Sequence, residues 1–349
     1  MIYLSIVIPS YNAQRTIIPL IDSIRKSQKV NFSEMEIIIV DDYSNDGSYE
    51  RIMKYELGIK NRKLQLKIIR LKKNQGPAAA RNIGVKYAKG KVVLFLDSDV
   101  LVYSKTIFEI INAFKTDPDM YALTGVWDKK QKGNSFFPKF KALRDWSYWI
   151  NERDPRNYYY LFSTRVAAIR RELFNRLGGF DVTYKAALVE DMELTYRIAR
   201  RYAVVFNPKV IVHHEFENFL TVARKYFLRS FYWSRIYRDR KKFDPVATTG
   251  KEAVTTISAG LLIGLGILYS GMRILNFELR IMNTSLLSII LASFLLILFI
   301  HLYGVRKFLL FCAKEQGLWF AFKAFITGII LYIIILAGAA WSFIKRKEI

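Results

Sequence analysis

Residues 92–102 read "VVLFLDSDVLV": five apolar residues run into Asp97 and Asp99, one residue apart, and the chain then turns apolar again. A short run rich in large and β-branched residues, without alternation, suits a strand buried on both faces of a sheet. The carboxylates then stand at the mouth of the strand rather than inside it. The same form recurs in "LSIVIP" (4–9), "EIIIVDD" (36–42), "LKIIRL" (66–71) and "YALTGV" (121–126). Helical patterns lie between: "AQRTIIPLIDSIRKSQ" (13–28), "SYERIMKYEL" (48–57) and "PAAARNIGVKYAKG" (77–90), where Pro77 suits a first helical position and Gly90 an end. Strands alternating with helices predict an α/β fold with a parallel sheet and right-handed crossovers. In such a sheet ligands collect at the carboxyl ends of the strands.

The segments just past the strands are therefore the candidate site: "PSYN" (9–12), "DDYSNDGS" (41–48) and "DSD" (97–99). Two carboxylates a few ångströms apart are best tolerated beside a cation. Oxygen ligands suit magnesium or manganese, which commonly use one or two carboxylates plus substrate phosphates. An isolated D-x-D is as easily an ordinary acidic loop, and "DDYSNDGS" also reads as a turn around Asp46-Gly47. As a calcium loop it fails, because Met53 stands where the twelfth-position glutamate belongs. Neither G-x-G-x-x-G after the first strand nor G-x-x-x-x-G-K-[ST] occurs, so phosphate must be held by metal and basic side chains. Arg81, one turn into the helix starting at Pro77, is a candidate. "VEDMEL" (189–194) starts a helix with acidic residues in its first turn, which dipole complementarity alone would explain for one of them.

From Ala253 the composition becomes mostly hydrocarbon. "AVTTISAGLLIGLGILYSGM" (253–272) and "TSLLSIILASFLLILFIHLY" (284–303) each carry enough uncharged residues to cross a bilayer, and "AFITGIILYIIILAGAAWSFI" (324–344) is equally apolar. The net charge of +24 could point to nucleic acid or to an anionic membrane. Basic residues concentrate in "TVARKYFLRSFYWSRIYRDRKKF" (221–243), interleaved with aromatics beside the first apolar stretch, which favours anionic membrane lipids. No nucleic-acid motif argues otherwise. The apolar start "MIYLSIVIPS" lacks a signal peptide's basic lead, and the one cysteine, Cys312, excludes a disulfide framework. The expectation is an integral protein of the cytoplasmic membrane, or of the endoplasmic reticulum in a eukaryote, with residues 1–217 in the cytoplasm. Residues 218–250 form a basic, aromatic juxtamembrane region and 251–349 a transmembrane domain of two to three spans. Three crossings would put the tail "KRKEI" outside, against the positive-inside tendency. "GVRKFLLFCAKEQG" (304–317) is read as an interfacial stretch.

Taken together, "SIVIPSYN", "VDDYSNDGS", "NQGPAAARNIGVKYAKG", "VVLFLDSD" and "LGGFDVTYKAALVEDMELTYRIA" resemble, in order and spacing, the glycosyltransferases of family 2. The resemblance covers about residues 1–215. It implies a GT-A fold, a Rossmann-like nucleotide-diphospho-sugar transferase domain, here followed by C-terminal transmembrane helices. It also implies a nucleotide-diphosphate-sugar donor, Mn2+ or Mg2+, and inversion at the anomeric carbon. Carried over by motif, Pro9 and Tyr11 wall the base pocket and Asp42 hydrogen-bonds the base. Arg81 approaches the nucleotide or its phosphates, Asp97 binds ribose or reaches the metal through water, Asp99 ligates the metal, and Asp191 is the general base. A histidine of "VIVHHEF" (210–216) can complete the metal shell; alternation sends His213 and His214 to opposite faces, and His213 is assigned that role. The Q-x-x-R-W string of processive synthases is absent. A full "VEDMEL" motif favours a hydroxyl acceptor, on a lipid or lipid-linked saccharide, over a polyprenyl-phosphate acceptor, whose phosphate needs no base. The alternatives are a polyprenyl-phosphate glycosyltransferase and a catalytically inactive membrane-bound binding module.

Overall fold

The computed structural model describes residues 1–58, 64–153, 159–183, 189–241, 249–279 and 284–344. The chain divides into two compact units, Met1–Phe216 and Glu217–Ile349.

In the first unit the apolar runs become β1 (Leu4–Ser10), β2 (Met35–Asp41), β3 (Gln65–Arg70), β4 (Val92–Leu96) and β6 (Ala122–Trp127). Short β5 (Val100–Val102), then β7 (Val166–Arg170) and β8 (Val204–His214), complete one eight-stranded sheet of order β3-β2-β1-β4-β7-β6-β8-β5. Strands β1 to β4 pair in parallel, as the alternation with helices predicts. The sheet is nevertheless mixed, because β7 runs antiparallel to both β4 and β6. That reversal brings the start of β7 to the carboxyl end of β4. β5 likewise turns back to pair antiparallel with the end of β8, with Val100 opposite His214.

Helices cover the sheet. α1 (Ile17–Arg25) buries Ile17, Leu20, Ile21 and Ile24, the i, i+3, i+4, i+7 stripe of an amphipathic helix. α2 (Ser48–Gly58), α4 (Thr106–Thr116), α5 (Phe136–Trp146) and short α6 (Arg171–Arg176) come after their strands or loops. α3 (Pro77–Tyr87) opens with Pro77 after Gly76 at φ +85°. It lies so close to the sheet that a Cβ on Gly84 would stand 2.4 Å from Val7 Cγ1. α7 (Glu190–Ile198) buries Met192, Leu194 and Ile198, which sets its acidic first turn.

The second unit holds α8 (Phe219–Arg240), α9 (Gly250–Leu279), α10 (Thr284–Gln316) and α11 (Leu318–Ile344). Asn218 caps α8 by accepting from the Thr221 N–H at 3.0 Å. Among the described residues, three helical stretches, Gly250–Ile274, Leu286–Gln316 and Leu318–Ile344, are long and apolar enough to cross a membrane. α9 and α10 are antiparallel: Ser258 hydrogen-bonds His301 Nδ1 at 2.9 Å, and Gly304 sits against Thr255. The stretch 304–317, read from the sequence as interfacial, is helical through Gln316 and continues α10. The tail 345–349 lies outside the described residues, as does most of the connection between α8 and α9.

Candidate active site

Arg81 organises the carboxyl end of the sheet. The packing of α3 on β1 carries it into the interior, where it is 3% exposed. One terminal nitrogen donates to Asp97 Oδ1 at 2.8 Å and the other to Glu190 Oε1 at 3.0 Å. The guanidinium also stands 5.6 Å from the Phe180 ring centre. Burial works against its charge, but Asp97 and Glu190 outweigh burial and hold its pKa above the ordinary arginine value. Arg81 therefore ties the "DSD" turn to the first turn of α7, and with it Asp191.

Asp97 and Asp99 divide in character. Asp97 is engaged with Arg81, whereas the half-exposed Asp99 carboxylate faces His214, Oδ2 to Nε2 at 3.3 Å. The surrounding protein pushes the Asp99 carboxyl up, yet the His214 hydrogen bond and the charges of His214 and Arg165 prevail and hold it at about 2. Burial and the Arg165 charge push the His214 pKa down against the pull of Asp99 and Asp97. Its Nδ1 is buried without a hydrogen-bond partner among the described residues.

The histidine beside Asp99 is thus His214, not His213. The alternation rule was sound, but β5 pairs with β8 in a register that puts position 214 on the "DSD" side. His213 points the other way, Nδ1 3.1 Å from Asp128 and Nε2 2.7 Å from Glu215. The Asp128 hydrogen bond chiefly, opposed by burial and helped by Glu215, raises its pKa. Tyr103 donates to the same Asp128.

Three participants were not singled out as site residues in the sequence: His214, Glu190 and Arg165. Arg165 has no motif around it. It stands just before β7, and the antiparallel turn of that strand brings its charge to Asp99 and His214; its guanidinium lies 4.3 Å from the Trp127 ring centre.

Asp191 lies in the first turn of α7, half-buried, with Oδ1 accepting from the Met192 N–H at 2.8 Å. Residues 184–188, just before it, are outside the described set.

Loops after β1 and β2 form another wall. Pro9, next to last in β1, stands opposite Val40, and Tyr11 is half exposed. Asn12 adopts a left-handed φ of +49°, which asparagine tolerates. Its N–H donates to Ser44 Oγ at 3.0 Å and its side-chain oxygen accepts from the Asn45 N–H at 3.1 Å. Asp46 accepts from the N–H groups of Gln14 and Ser48, both at 3.0 Å, and from the Ser48 hydroxyl. Slight burial pushes its carboxyl up, but those hydrogen bonds hold it below the usual carboxylate value. Asp42 is buried at the end of β2 and accepts from the N–H groups of Gln75 and Gly76, at 2.7 and 2.8 Å. Burial raises its pKa, helped by Asp41 and opposed by those two hydrogen bonds. Its carboxylate thereby fastens the loop that enters α3.

Among the described residues no three or more histidines, cysteines or carboxylates cluster as a metal cage. The Asp99 carboxylate and the His214 imidazole sharing one mouth do fit a divalent ion that completes its shell with phosphate oxygens.

Residues 5–178 match the family model described as glycosyl transferase family 2. The N-terminal domain of this chain belongs to that family. Among curated relatives, the poly(ribitol-phosphate) β-N-acetylglucosaminyltransferase TarS of Staphylococcus aureus is 36% identical over 108 residues, 31% of this chain and 18% of its own. The Escherichia coli enzyme WfgD, a UDP-Glc:α-D-GlcNAc-diphosphoundecaprenol β-1,3-glucosyltransferase, is 35% identical over 95 residues, 27% of this chain and 34% of its own. The aligned stretches therefore span well under two thirds of these relatives. Among solved structures, the mannosyltransferase PcManGT of Pyrobaculum calidifontis, in complex with GDP-Man and Mn2+, superposes with a TM-score of 0.58 at 18% identity. That match covers 99% of this chain and 88% of the other, and it shows a shared GT-A fold.

Proposed function

We propose that this glycosyltransferase moves a sugar, with inversion, from a nucleotide-diphosphate donor to a hydroxyl of a lipid or lipid-linked saccharide at a membrane surface. The observation that carries the reading is the double ion pair of Arg81, which holds the "DSD" turn and the Asp191 turn at one end of the sheet. Family membership and the named activities of TarS and WfgD support the reaction class and acceptor type.

Pro9 and Tyr11 flank the nucleotide base, and Asp42 shapes that pocket through the Gln75–Gly76 loop. Asp99 and His214 would hold Mn2+ or Mg2+, which when bound would neutralise the diphosphate and so improve it as a leaving group. Arg165 adds a fixed positive charge at the same place. Asp191 accepts the proton of the acceptor hydroxyl as it attacks the anomeric carbon from the face opposite the leaving group, so that one displacement inverts the centre. α9 and α10 cross the bilayer and the basic face of α8 meets anionic headgroups, raising the effective concentration of a membrane-embedded acceptor. The catalytic unit is on the cytoplasmic side.

The test is transfer of labelled sugar from nucleotide donors to membrane lipid extract by the full-length protein. Asp191→Asn should lower the transfer rate by about 10²- to 10⁴-fold while leaving donor binding intact. Undiminished transfer in that variant, especially onto a polyprenyl phosphate, would replace the hydroxyl-acceptor reading.

A further inference from the structure

The β6–β8 ladder ends one rung short of the His214 carbonyl. Trp127 pairs with Val212, and the Asp128 N–H donates to the Val212 carbonyl at 2.8 Å. In a parallel ladder a strand meets its neighbour's groups at every second residue. The next rung would offer an N–H to the His214 carbonyl and a carbonyl to the Phe216 N–H, both from residue 130. β6 does not reach that far. It stops at Trp127, and Asp128 Oδ1 accepts from the Lys130 N–H at 3.2 Å, which closes a turn two residues on.

The Gln131 side chain supplies the missing rung. Its Nε2 donates to the His214 carbonyl at 2.8 Å, and its Oε1 accepts from the Phe216 N–H at 2.8 Å. A primary amide carries the same donor and acceptor as a peptide group, so it replaces the strand bond for bond. The same Nε2 donates to the Lys130 carbonyl at 2.7 Å, which fixes the amide plane. Beside it the Lys132 N–H donates to the Glu215 carboxylate at 3.1 and 3.3 Å, and Asp128 holds the His213 ring. From His213 to Phe216 the end of β8 is therefore strapped to the loop after β6.

The His214 ring depends on that strap. In a metal site the second ring nitrogen of a ligating histidine ordinarily donates to a carboxylate or a carbonyl, and this bond sets the ring's orientation. His214 Nδ1 is buried and has no hydrogen-bond partner among the described residues. Nε2 is aimed at Asp99 instead by the main chain that carries the ring and by the Phe216 ring, edge-on with centres 4.8 Å apart. Gln131 bonds the backbone of both residues. We infer that Gln131 is a positioning residue for His214, acting through the main chain where a bond at Nδ1 would ordinarily act on the ring. The inference rests on the proposed metal role of Asp99 and His214. Gln131 itself does not touch the ion; it narrows the orientations of the imidazole to those that point Nε2 into the mouth of the site.

The test is Mn2+ binding to the detergent-purified full-length protein, with Mn2+ the only added ligand, read from loss of the free-ion electron paramagnetic resonance signal. Wild type, Gln131→Met, His214→Ala and the double variant are compared. Gln131→Met keeps the side chain's length and removes its hydrogen bonds. It should weaken Mn2+ binding by about 10- to 100-fold, the usual effect of removing a group that supports a metal ligand. In the His214→Ala background the same substitution should change nothing, because no ring is left to orient. A cooperative melting transition checks that each variant is folded. Where Gln131→Met fails that check, Gln131→Glu, which still accepts from Phe216 but as a carboxylate cannot donate to His214, takes its place with the same expectation. Equal losses with and without His214 would make Gln131 a support of the loop alone, and an unchanged Mn2+ affinity would leave it no role; either result overturns the inference. Wild type and His214→Ala binding Mn2+ alike would instead remove the metal reading on which it rests, and the inference with it.

Discussion

Replacing Arg81 with methionine removes both ion pairs at once and should destabilise the catalytic unit more than any surface charge could. Arg81 and Glu190 are almost wholly buried, with side chains 3% and 4% exposed, so the substitution strands the Glu190 carboxylate in the interior. Breaking a buried pair by removing one partner costs about 3–5 kcal/mol. The Asp97 pair, at 30% side-chain exposure on the acid, adds little once solvent screening is counted. For a unit of this size roughly 2–4 °C per kcal/mol gives a fall in melting temperature of about 6–20 °C. The assay is thermal unfolding of the purified full-length protein, with hydrogen exchange in α3 and α7 assigning the transition. Arg81→Met combined with Glu190→Gln removes the stranded charge, and the cycle should show coupling of at least about 1 kcal/mol. A loss under about 1 kcal/mol for Arg81→Met, as at an exposed pair, or strict additivity in the cycle would refute the reasoning.

Asp46→Ala unlaces the loops after β1 and β2 and should cost about 1–3 kcal/mol at pH 7 from its lost charge-assisted hydrogen bonds. Because the folded-state pKa of Asp46 is depressed, that contribution is present above the ordinary carboxylate pKa and disappears as pH falls through the folded value. Denaturant titrations at pH 7 and pH 3 should therefore show the gap between variant and wild type narrowing at the lower pH, and a pH-independent gap would contradict the role given to the carboxylate. Arg165→Ala should weaken nucleoside diphosphate binding by roughly 10- to 150-fold, the equivalent of about 1.5–3 kcal/mol, while leaving the nucleoside's affinity unchanged. Equal losses for both ligands, measured by calorimetry, would mean that Arg165 supports the base pocket or the fold instead.

The first four strands and the three helices between them were legible because their signals are local: uninterrupted Ile/Val runs for strands buried on both faces, and apolar stripes with Pro77 and Gly90 as punctuation. The "DSD" and "ED" motifs were equally legible as clustered carboxylates at element ends. The features that escaped depend on long-range pairing. Whether β7 runs up or down cannot be read from "VAAIR", yet its antiparallel course is what delivers Arg165 to Asp99. The choice between His213 and His214 is a one-residue question of register, decided by the pairing of β5 with β8. Glu190 reads as one more helix-dipole acid until Arg81, 109 positions away, is seen buried against it. The extent of α10 was missed because Arg306, Lys307 and Lys314 break a hydropathy pattern without breaking a helix.

The central claim, a metal-dependent donor site built on Asp99 and His214, is tested most directly by calorimetric titration of the detergent-purified protein. UDP, GDP, CDP and dTDP are titrated with Mn2+ or Mg2+, and again with chelator, for the wild type and Asp99→Ala. The account predicts metal-dependent binding of at least one nucleotide, lost in Asp99→Ala. Binding indifferent to both metal and Asp99, or no binding of any nucleotide, would contradict it.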